Sequence, residues 1–241
     1  MENYNEIKKL AKDIRISMLK MLLNLGFGHF GGSLSVVETL AVLYGAVMKI
    51  DPKNPNWEGR DYMVLSKGHA GPALYAALAI KGYFPKEELM TLNVNGTHLP
   101  SHPDRLLTKG VDATTGSLGQ GVSLATGIAM AEKLSGKDNR VFTILGDGEL
   151  NEGQCWEAFQ FIAHHNLNNL TVFVDYNKLQ LDGTLEEIIK PFSLTEKFKA
   201  FGFDSVEVKG DDIEGIYNLL KDPRRENERP LAVILDTVFV P

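Results

Sequence analysis

The feature that most constrains the fold is an alternation of short apolar runs with helical segments in the second half of the chain. Four apolar runs have the length of buried strands: 141–145, 171–175, 205–208 and 231–235. Helical patterns separate or precede these runs at 119–134, 151–165, 193–200 and 213–220. Strands that alternate with helices form βαβ units, in which helices cover both faces of a parallel sheet. The sequence therefore predicts an α/β fold with a parallel sheet between two helical layers.

The first half of the chain is expected to contribute helices and one further strand. Residues 4–25 carry apolar side chains at helical spacing, and Ser35-Val36-Val37-Glu38 has the pattern of a capping box that opens a second helix. A short buried strand is predicted at 62–65 and a small-residue helix at 72–81. Residues 93–118 have no periodic pattern, and long irregular loops between ordered elements are usually functional. No linker interrupts the sequence, so we expect one domain over residues 1–241.

Composition excludes several classes of protein. The chain has 25 Lys+Arg and 31 Asp+Glu, a net charge of -6 that argues against nucleic acid as the main partner. Cys155 is the one cysteine, so an internal disulfide is impossible and a reducing compartment is favoured. The N-terminus is rich in charge, unlike a signal peptide, and no apolar run is expected to reach the roughly 18 residues of a membrane span. We therefore expect a cytoplasmic protein without a membrane segment.

Two loops that follow predicted strands carry oxygen ligands. Gly146-Asp147-Gly148 follows the strand at 141–145, and Asn177 follows the strand at 171–175. Because the ends of neighbouring parallel strands lie about 5 Å apart, Asp147 and Asn177 can meet on one ion. Glycine beside a hard carboxylate ligand suits a diphosphate held through Mg²⁺. The alternative interpretation is structural: a tight turn with Asp147 as a helix cap, and an Asn turn followed by a hairpin turn at 181–183.

Three histidines and one acid are further candidates. His29, His69 and His102 lie in loops rich in glycine or proline, which favours a polar pocket that binds hydroxyl groups or moves protons. Each of them alone could equally be an ordinary polar loop residue. Glu152 falls in the first turn of the helix at 151–165, where a carboxylate stabilises the helix dipole. The alternative for Glu152 is a buried acid near a cofactor.

Several stretches share their order and spacing with one known family. They are Gly28-His29-Phe30-Gly31-Gly32-Ser33-Leu34, Leu65-Ser66-Lys67-Gly68-His69, Ser101-His102-Pro103-Asp104, Thr115-Gly116-Ser117-Leu118-Gly119-Gln120-Gly121, Gly146-Asp147-Gly148 and the Asn177 loop. Together they resemble the N-terminal, diphosphate-binding domain of the transketolases, and the resemblance covers nearly the whole chain. It implies the thiamine diphosphate-binding version of the α/β fold.

The resemblance implies two cofactors, thiamine diphosphate and Mg²⁺, and a set of residues for them. By matching position, Asp147 and Asn177 would be side-chain ligands of the metal and Leu179 a backbone ligand. Gly148 would contact the diphosphate, and the backbone of Gly116-Ser117-Leu118 would line the thiamine.

The resemblance also implies roles for the remaining candidates. His29, His69 and His102 would bind substrate hydroxyls or the diphosphate, or move protons. Glu152 would lie at a subunit interface, in an acid network between two active sites.

A complete transketolase also contains a pyrimidine-binding domain, whose glutamate activates the cofactor, and a C-terminal domain. The resemblance therefore implies the N-terminal subunit of a split transketolase, which assembles with a separate C-terminal subunit in two copies of each chain. The expected reaction transfers a two-carbon ketol unit from a ketose phosphate to an aldose phosphate, in the pentose phosphate pathway.

Two alternatives remain beside that function. One is a split thiamine diphosphate enzyme for another sugar or a ketoacid, and the other is a non-catalytic paralogue that only binds the cofactor. The sequence stops after Asp236-Thr237-Val238-Phe239-Val240-Pro241, before a Thr-x-Lys-Gly-x-Gly-like segment usual in the family. We therefore expect a naturally shorter protein or a truncated sequence.

Overall fold

The computed structural model describes residues 2–221 and 229–238. The strands of its main sheet are β1 Tyr62–Leu65, β2 Val141–Gly146, β3 Leu170–Tyr176, β6 Asp204–Lys209 and β7 Leu231–Asp236. They are all parallel to their neighbours and lie in the order β1-β2-β3-β7-β6. A separate antiparallel hairpin pairs β4 Leu179–Gln180 with β5 Gly183–Thr184, around the turn that the sequence offered as a structural alternative.

The helices of the described residues surround this sheet. They are α1 Glu2–Leu25, α2 Phe30–Leu34, α3 Val37–Val42, α4 Gly71–Lys81, α5 Gln120–Leu134, α6 Gly153–His164, α7 Leu185–Ile188, α8 Leu194–Ala200 and α9 Ile213–Leu220. Short 3₁₀ turns occupy Gly68–Ala70, Lys86–Thr91 and Gly148–Asn151, and a π-helical turn occupies Leu43–Val47.

The central strands are buried on both faces, as their continuous apolar sequences predict. Along β2, Phe142 and Ile144 belong to one apolar core, whereas Val141 and Leu145 belong to another. This division follows from the alternation of side chains along a strand. Side chains of α1, α3, α4 and α9 complete the first core, and side chains of α5, α6 and α8 complete the second. The predicted α/β fold, a parallel sheet with helices on both faces, is confirmed.

The predicted capping box at residues 35–38 is wrong. The helical chain begins earlier, at Phe30 of α2, and α3 starts at Val37 without a side-chain cap. The Ser35 hydroxyl instead donates to the buried carboxylate of Asp175 at 2.6 Å, and Glu38 forms an ion pair with Arg15 of α1. A local pattern of capping residues is therefore overridden by tertiary partners that are distant in sequence.

The expectation about apolar runs also needs correction. The segment Phe30–Val47 has a mean hydropathy of 1.5 over 18 residues, so its length and composition alone would allow it to cross a membrane. Within the fold, 67% of this segment is buried, because α2, α3 and the following π-helical turn cross the first core. A helical segment buried in a protein core meets the same criterion.

Candidate functional site

The carboxyl ends of β2 and β3 lie side by side, with Gly146 in register with Asp175. Asp147 follows Gly146 and donates its backbone N–H to the carbonyl oxygen of Asp175 at 3.1 Å. The Asp147 carboxylate accepts hydrogen bonds from the backbone N–H groups of Gly148 at 2.8 Å and Lys178 at 2.6 Å. One carboxylate therefore joins the loop after β2 to the loop after β3.

Among the described residues, the buried Asp147 carboxylate has no ion-pair partner. Its residue is 3% exposed, and burial raises the pKa of this carboxyl to about 6. Within residues 2–221 and 229–238, no Lys, Arg or His side chain forms an ion pair with it. A buried carboxylate of this kind is stabilised by a bound cation, and carboxylate oxygen is a ligand that Mg²⁺ prefers.

Neutral oxygen donors lie beside Asp147 in the loop after β3. The amide oxygen of Asn177 accepts from the backbone N–H of Leu179 at 3.0 Å and keeps a second lone pair. Lys178, between them, turns the chain with a left-handed φ of 68°. The part of the chain that the structure describes holds no cluster of three or more His, Cys, Asp or Glu suited to a metal. A mixed carboxylate, amide and carbonyl set suits Mg²⁺ better than zinc.

Gln180 is a candidate that the sequence analysis missed. A Cβ on Gly148 would lie 3.1 Å from Cβ and 3.2 Å from Oε1 of Gln180, so this side chain packs directly on the glycine backbone. Its Nε2 is buried and has no hydrogen-bond partner among the described residues, although Oε1 accepts from Asn151 at 3.4 Å. An unpaired buried donor is costly, and an anionic group at Gly148 would satisfy it. The residues present therefore fit a diphosphate.

The structure brings the three candidate histidines together at this end of the sheet. The ring centroids of His29 and His69 are 5.2 Å apart. Burial, reinforced by the Lys67 ammonium, lowers the pKa of His69 to about 3, and burial and His29 lower the pKa of His102. His69 is therefore neutral at physiological pH and can both donate and accept hydrogen bonds.

Gly116 connects the histidines to the long irregular loop. A Cβ on Gly116 would lie 3.3 Å from Cγ of His102, and a Cβ on Gly68 would lie 2.8 Å from the backbone nitrogen of Gly116. Thr115 fixes this approach by donating its hydroxyl to the carbonyl oxygen of Leu65 at 2.7 Å. The next residues, 117 and 118, are exposed. The Gly116-Ser117-Leu118 segment thus lies beside the histidine cluster.

The sequence analysis also missed a buried ion pair in this region. Lys67 and Asp175 form a fully buried ion pair behind the candidate ligands. The same carboxylate accepts from Ser35 at 2.6 Å, from Thr237 at 2.5 Å and from the amide of Asn177 at 3.3 Å. Lys67 stands in the motif beside His69, but nothing local in the sequence indicates its partner 108 residues away.

Of the two glutamates that follow β2, Glu149 is buried and Glu152 is exposed. Glu149 accepts from the Ser66 hydroxyl at 2.5 Å and from the backbone N–H groups of Gly119 at 2.8 Å and Gly146 at 3.1 Å. Glu152 is the N-cap residue of α6, makes no side-chain cap hydrogen bond and is exposed in this chain. Burial of Glu152 near a cofactor would therefore need a surface outside the described residues, and its role in an acid network at a subunit interface stays a prediction.

Comparison with known proteins identifies the family. The family model "Transketolase, thiamine diphosphate binding domain" matches residues 7–240. The 6-deoxy-6-sulfo-D-fructose transketolase subunit SqwG of Clostridium sp. (strain MSTE9) is 48% identical over 237 residues, which cover 98% of this chain and 86% of that protein. An apulose-4-phosphate transketolase subunit from Actinobacillus succinogenes is 39% identical over 236 residues, 98% of this chain and 85% of that protein.

Solved structures that are similar to this chain are also transketolases. Transketolase from Leishmania mexicana matches with a TM-score of 0.90 at 32% identity, covering 97% of this chain and 36% of that chain. Transketolase from Campylobacter jejuni gives 0.89 at 30% identity, covering 98% and 38%. The chain thus spans little more than a third of these transketolases, but most of the two relatives named as subunits. It belongs to the transketolase family, as the thiamine diphosphate-binding domain.

Proposed function

We propose that this chain is the N-terminal subunit of a split transketolase that depends on thiamine diphosphate and Mg²⁺. Residues 1–241 would form a single cofactor-binding domain. One observation carries this proposal. The Asp147 loop, the Asn177 loop and the histidine cluster all lie at the edge of the sheet where β1, β2 and β3 end. A metal-diphosphate anchor and a polar substrate pocket are then adjacent, as transfer of a ketol unit requires.

The metal anchor in this proposal uses three oxygen donors. The carboxylate of Asp147, the amide oxygen of Asn177 and the backbone carbonyl of Leu179 would hold Mg²⁺. The backbone at Gly148 would approach the diphosphate, and Nε2 of Gln180 would donate to it. When bound, thiamine diphosphate supplies the carbanion chemistry of the reaction. The protein's contribution is then to orient the cofactor and to keep it from dissociating.

The histidines would act on the substrate. In ketol transfer, the C2–C3 bond of a ketose breaks, and its first two carbons pass to the aldehyde carbon of an aldose. One hydroxyl proton of the donor must leave, and one proton must reach the new hydroxyl of the product. The neutral imidazole of His69, together with His29 and His102, would bind these hydroxyl groups and hold the moving proton. Backbone groups of Gly116, Ser117 and Leu118 would line the thiamine.

The substrate class is proposed from the relatives. A ketose phosphate donor and an aldose phosphate acceptor remain the first candidates. The 48% identity to a 6-deoxy-6-sulfo-D-fructose transketolase subunit favours a second candidate, a ketose with a terminal sulfonate. Both donors share the hydroxylated carbons that the histidines would bind, and they differ in the anionic group at the far end. A role in the pentose phosphate pathway is therefore one of at least two possibilities.

The active assembly is proposed to contain a second chain. A C-terminal subunit with the pyrimidine-binding domain would complete the site, in a heterotetramer with two copies of each chain. Glu152, exposed in this chain, would then meet its counterpart across an interface between copies. We propose a cytoplasmic location for this complex.

The test is reconstitution with the partner subunit, thiamine diphosphate and Mg²⁺. D-Fructose 6-phosphate and 6-deoxy-6-sulfo-D-fructose would be compared as donors, with D-glyceraldehyde 3-phosphate as acceptor. We expect formation of a ketose two carbons longer than the acceptor from at least one donor. Tight cofactor binding without turnover of either donor would favour the non-catalytic alternative and contradict the proposed activity.

The metal site is tested separately by Asp147→Ala in the assembled complex. We expect loss of Mg²⁺-dependent binding of thiamine diphosphate by calorimetry, with little change in the thermal unfolding of the cofactor-free protein. Asp182→Ala, which removes an exposed carboxylate from the β4–β5 turn, is the matched control and should bind normally. Unchanged affinity in Asp147→Ala would remove this residue from the metal site.

A further inference from the structure

A cavity lies at the opposite edge of the sheet from the candidate active site. It has a volume of about 720 Å³, and Arg140, Asn169 and Leu231 line it. These residues lie at the amino ends of β2, β3 and β7, whereas Asp147 and Asn177 follow the carboxyl ends. A strand rises about 3.3 Å per residue, so the length of β2, six residues, separates the two edges of the sheet by roughly 20 Å. The cavity is therefore separate from the site described above, and its volume suits a small metabolite.

Cationic side chains dominate the polar part of its wall. Lys49, Lys133, Lys137 and Arg140 line the cavity, against one carboxylate, Asp138. This is a concentration of positive charge in a chain whose net charge is -6. Such a concave cationic surface attracts small anions.

Two of these cations have no carboxylate partner among the described residues. The Lys49 ammonium makes no hydrogen bond or ion pair there, and Lys133 donates only to the carbonyl oxygens of His165 at 2.8 Å and Asn166 at 2.9 Å. Those two bonds hold the Lys133 charge in place and leave one of its three donors free.

The other two cations are paired. Lys137 meets Glu58 at 3.1 Å, and that carboxylate side chain is 86% exposed, so the pair is weak in water. Arg140 is fixed by Asp61 at 3.0 Å and keeps its charge close to the wall. The cavity thus offers the ammonium of Lys49 and a free donor of Lys133 beside two paired cations, and the guanidinium of Arg140 is held by Asp61 and by the carbonyl oxygens of Val47 and Leu220.

Asn169 supplies a hydrogen-bond acceptor, so it requires a donor group on the ligand. Its Nδ2 donates to the carbonyl oxygen of Ala129 at 2.9 Å, which leaves Oδ1 as the acceptor. That oxygen is buried and has no partner among the described residues. A ligand that satisfies it must carry an O–H or N–H group, and a cavity of about 720 Å³ has room for a hydroxylated carbon chain beside a phosphate. We propose that this cavity binds a small hydroxylated organic phosphate, with its phosphate on the lysines and a hydroxyl on Asn169.

The test is a calorimetric titration of the full chain with D-sorbitol 6-phosphate. This probe carries a phosphate and several hydroxyls but no carbonyl group, so it cannot enter ketol transfer. We expect saturable binding, weakened at least tenfold in Lys49→Glu and in Lys137→Glu. Both lysines are exposed, and thermal unfolding of each variant checks that the fold is retained.

Two control variants locate the probe. Lys86→Glu makes the same charge change at an exposed residue outside the cavity, and His102→Ala alters the histidine cluster. Both should bind the probe as the unmodified chain does. Loss of binding in His102→Ala with normal binding in the cavity variants would assign the probe to the active site and overturn the proposal.

Two further outcomes would also overturn it. Absence of saturable binding at millimolar probe would remove the site altogether. Equal affinity for inorganic phosphate would show that the hydroxylated carbon chain contributes nothing, which contradicts an organic phosphate as the ligand.

Discussion

At the scale of single residues, two neighbouring aspartates have opposite electrostatic surroundings. Burial alone would raise the pKa of Asp175, but the Lys67 ammonium and the hydroxyls of Ser35 and Thr237 hold it below its ordinary value. Asp147 accepts from backbone donors alone in the part of the chain that the structure describes, and burial raises its pKa to about 6. The fold therefore supplies a permanent cation to one carboxylate and leaves the other available to a bound metal ion.

A second residue, His69, predicts that the free energy of unfolding depends on pH. Its pKa is about 3 in the folded chain because burial disfavours the charged ring, whereas the ordinary pKa of histidine is 6.5. The unfolded chain therefore binds this proton first as the pH falls, so His69 lowers stability between pH 6.5 and about pH 3. Between pH 7.5 and 5, the loss of unfolding free energy should be about 2 kcal/mol smaller in His69→Gln than in the unmodified chain.

Urea unfolding at the two pH values measures this difference. His98→Gln, at an exposed loop histidine, controls for the loss of an imidazole as such. An identical pH dependence in His69→Gln and the unmodified chain would contradict the argument.

At the scale of elements, the Lys67–Asp175 pair joins the segment after β1 to β3 across the intervening strand β2. Removing one partner leaves a buried charge without compensation, so Lys67→Met should lower the unfolding free energy by about 3–5 kcal/mol. The double variant Lys67→Met with Asp175→Leu removes both charges and should recover part of that loss. Denaturant unfolding of both variants tests the prediction, and a double variant no more stable than the single one would contradict it.

Sequence patterns predicted elements better than they predicted the contacts between elements. The apolar runs around β2, β3 and β7 identified buried parallel strands, and the edge of a parallel sheet then placed Asp147 near Asn177. The capping pattern at Ser35 failed because its hydroxyl has a distant partner in Asp175. Gln180 could not be found from sequence, because its importance depends on packing against Gly148 in a hairpin of two-residue strands. Long-range pairing of polar groups leaves no periodic signal.

At the scale of the whole molecule, the two apolar cores predict which strands undergo the least local unfolding. β2, β3 and β7 have neighbours on both sides and are buried, whereas β6 has β7 as its one neighbour among the described strands and is largely not buried. Hydrogen exchange followed by mass spectrometry should show slower exchange over 141–146, 170–176 and 231–236 than over 204–209. Equal protection of β6 would mean that a surface outside this chain's described residues covers that edge.

The position of β7 in the sheet has a consequence for synthesis on the ribosome. This strand fills the gap between β3 and β6, and Thr237 directly after it reaches the buried carboxylate of Asp175. Until residue 237 has left the exit tunnel, the nascent chain exposes two unpaired strand edges, which can pair with other chains. Folding of this domain therefore cannot be completed before residue 237 has emerged, and chaperones that shield strand edges have most to act on until then.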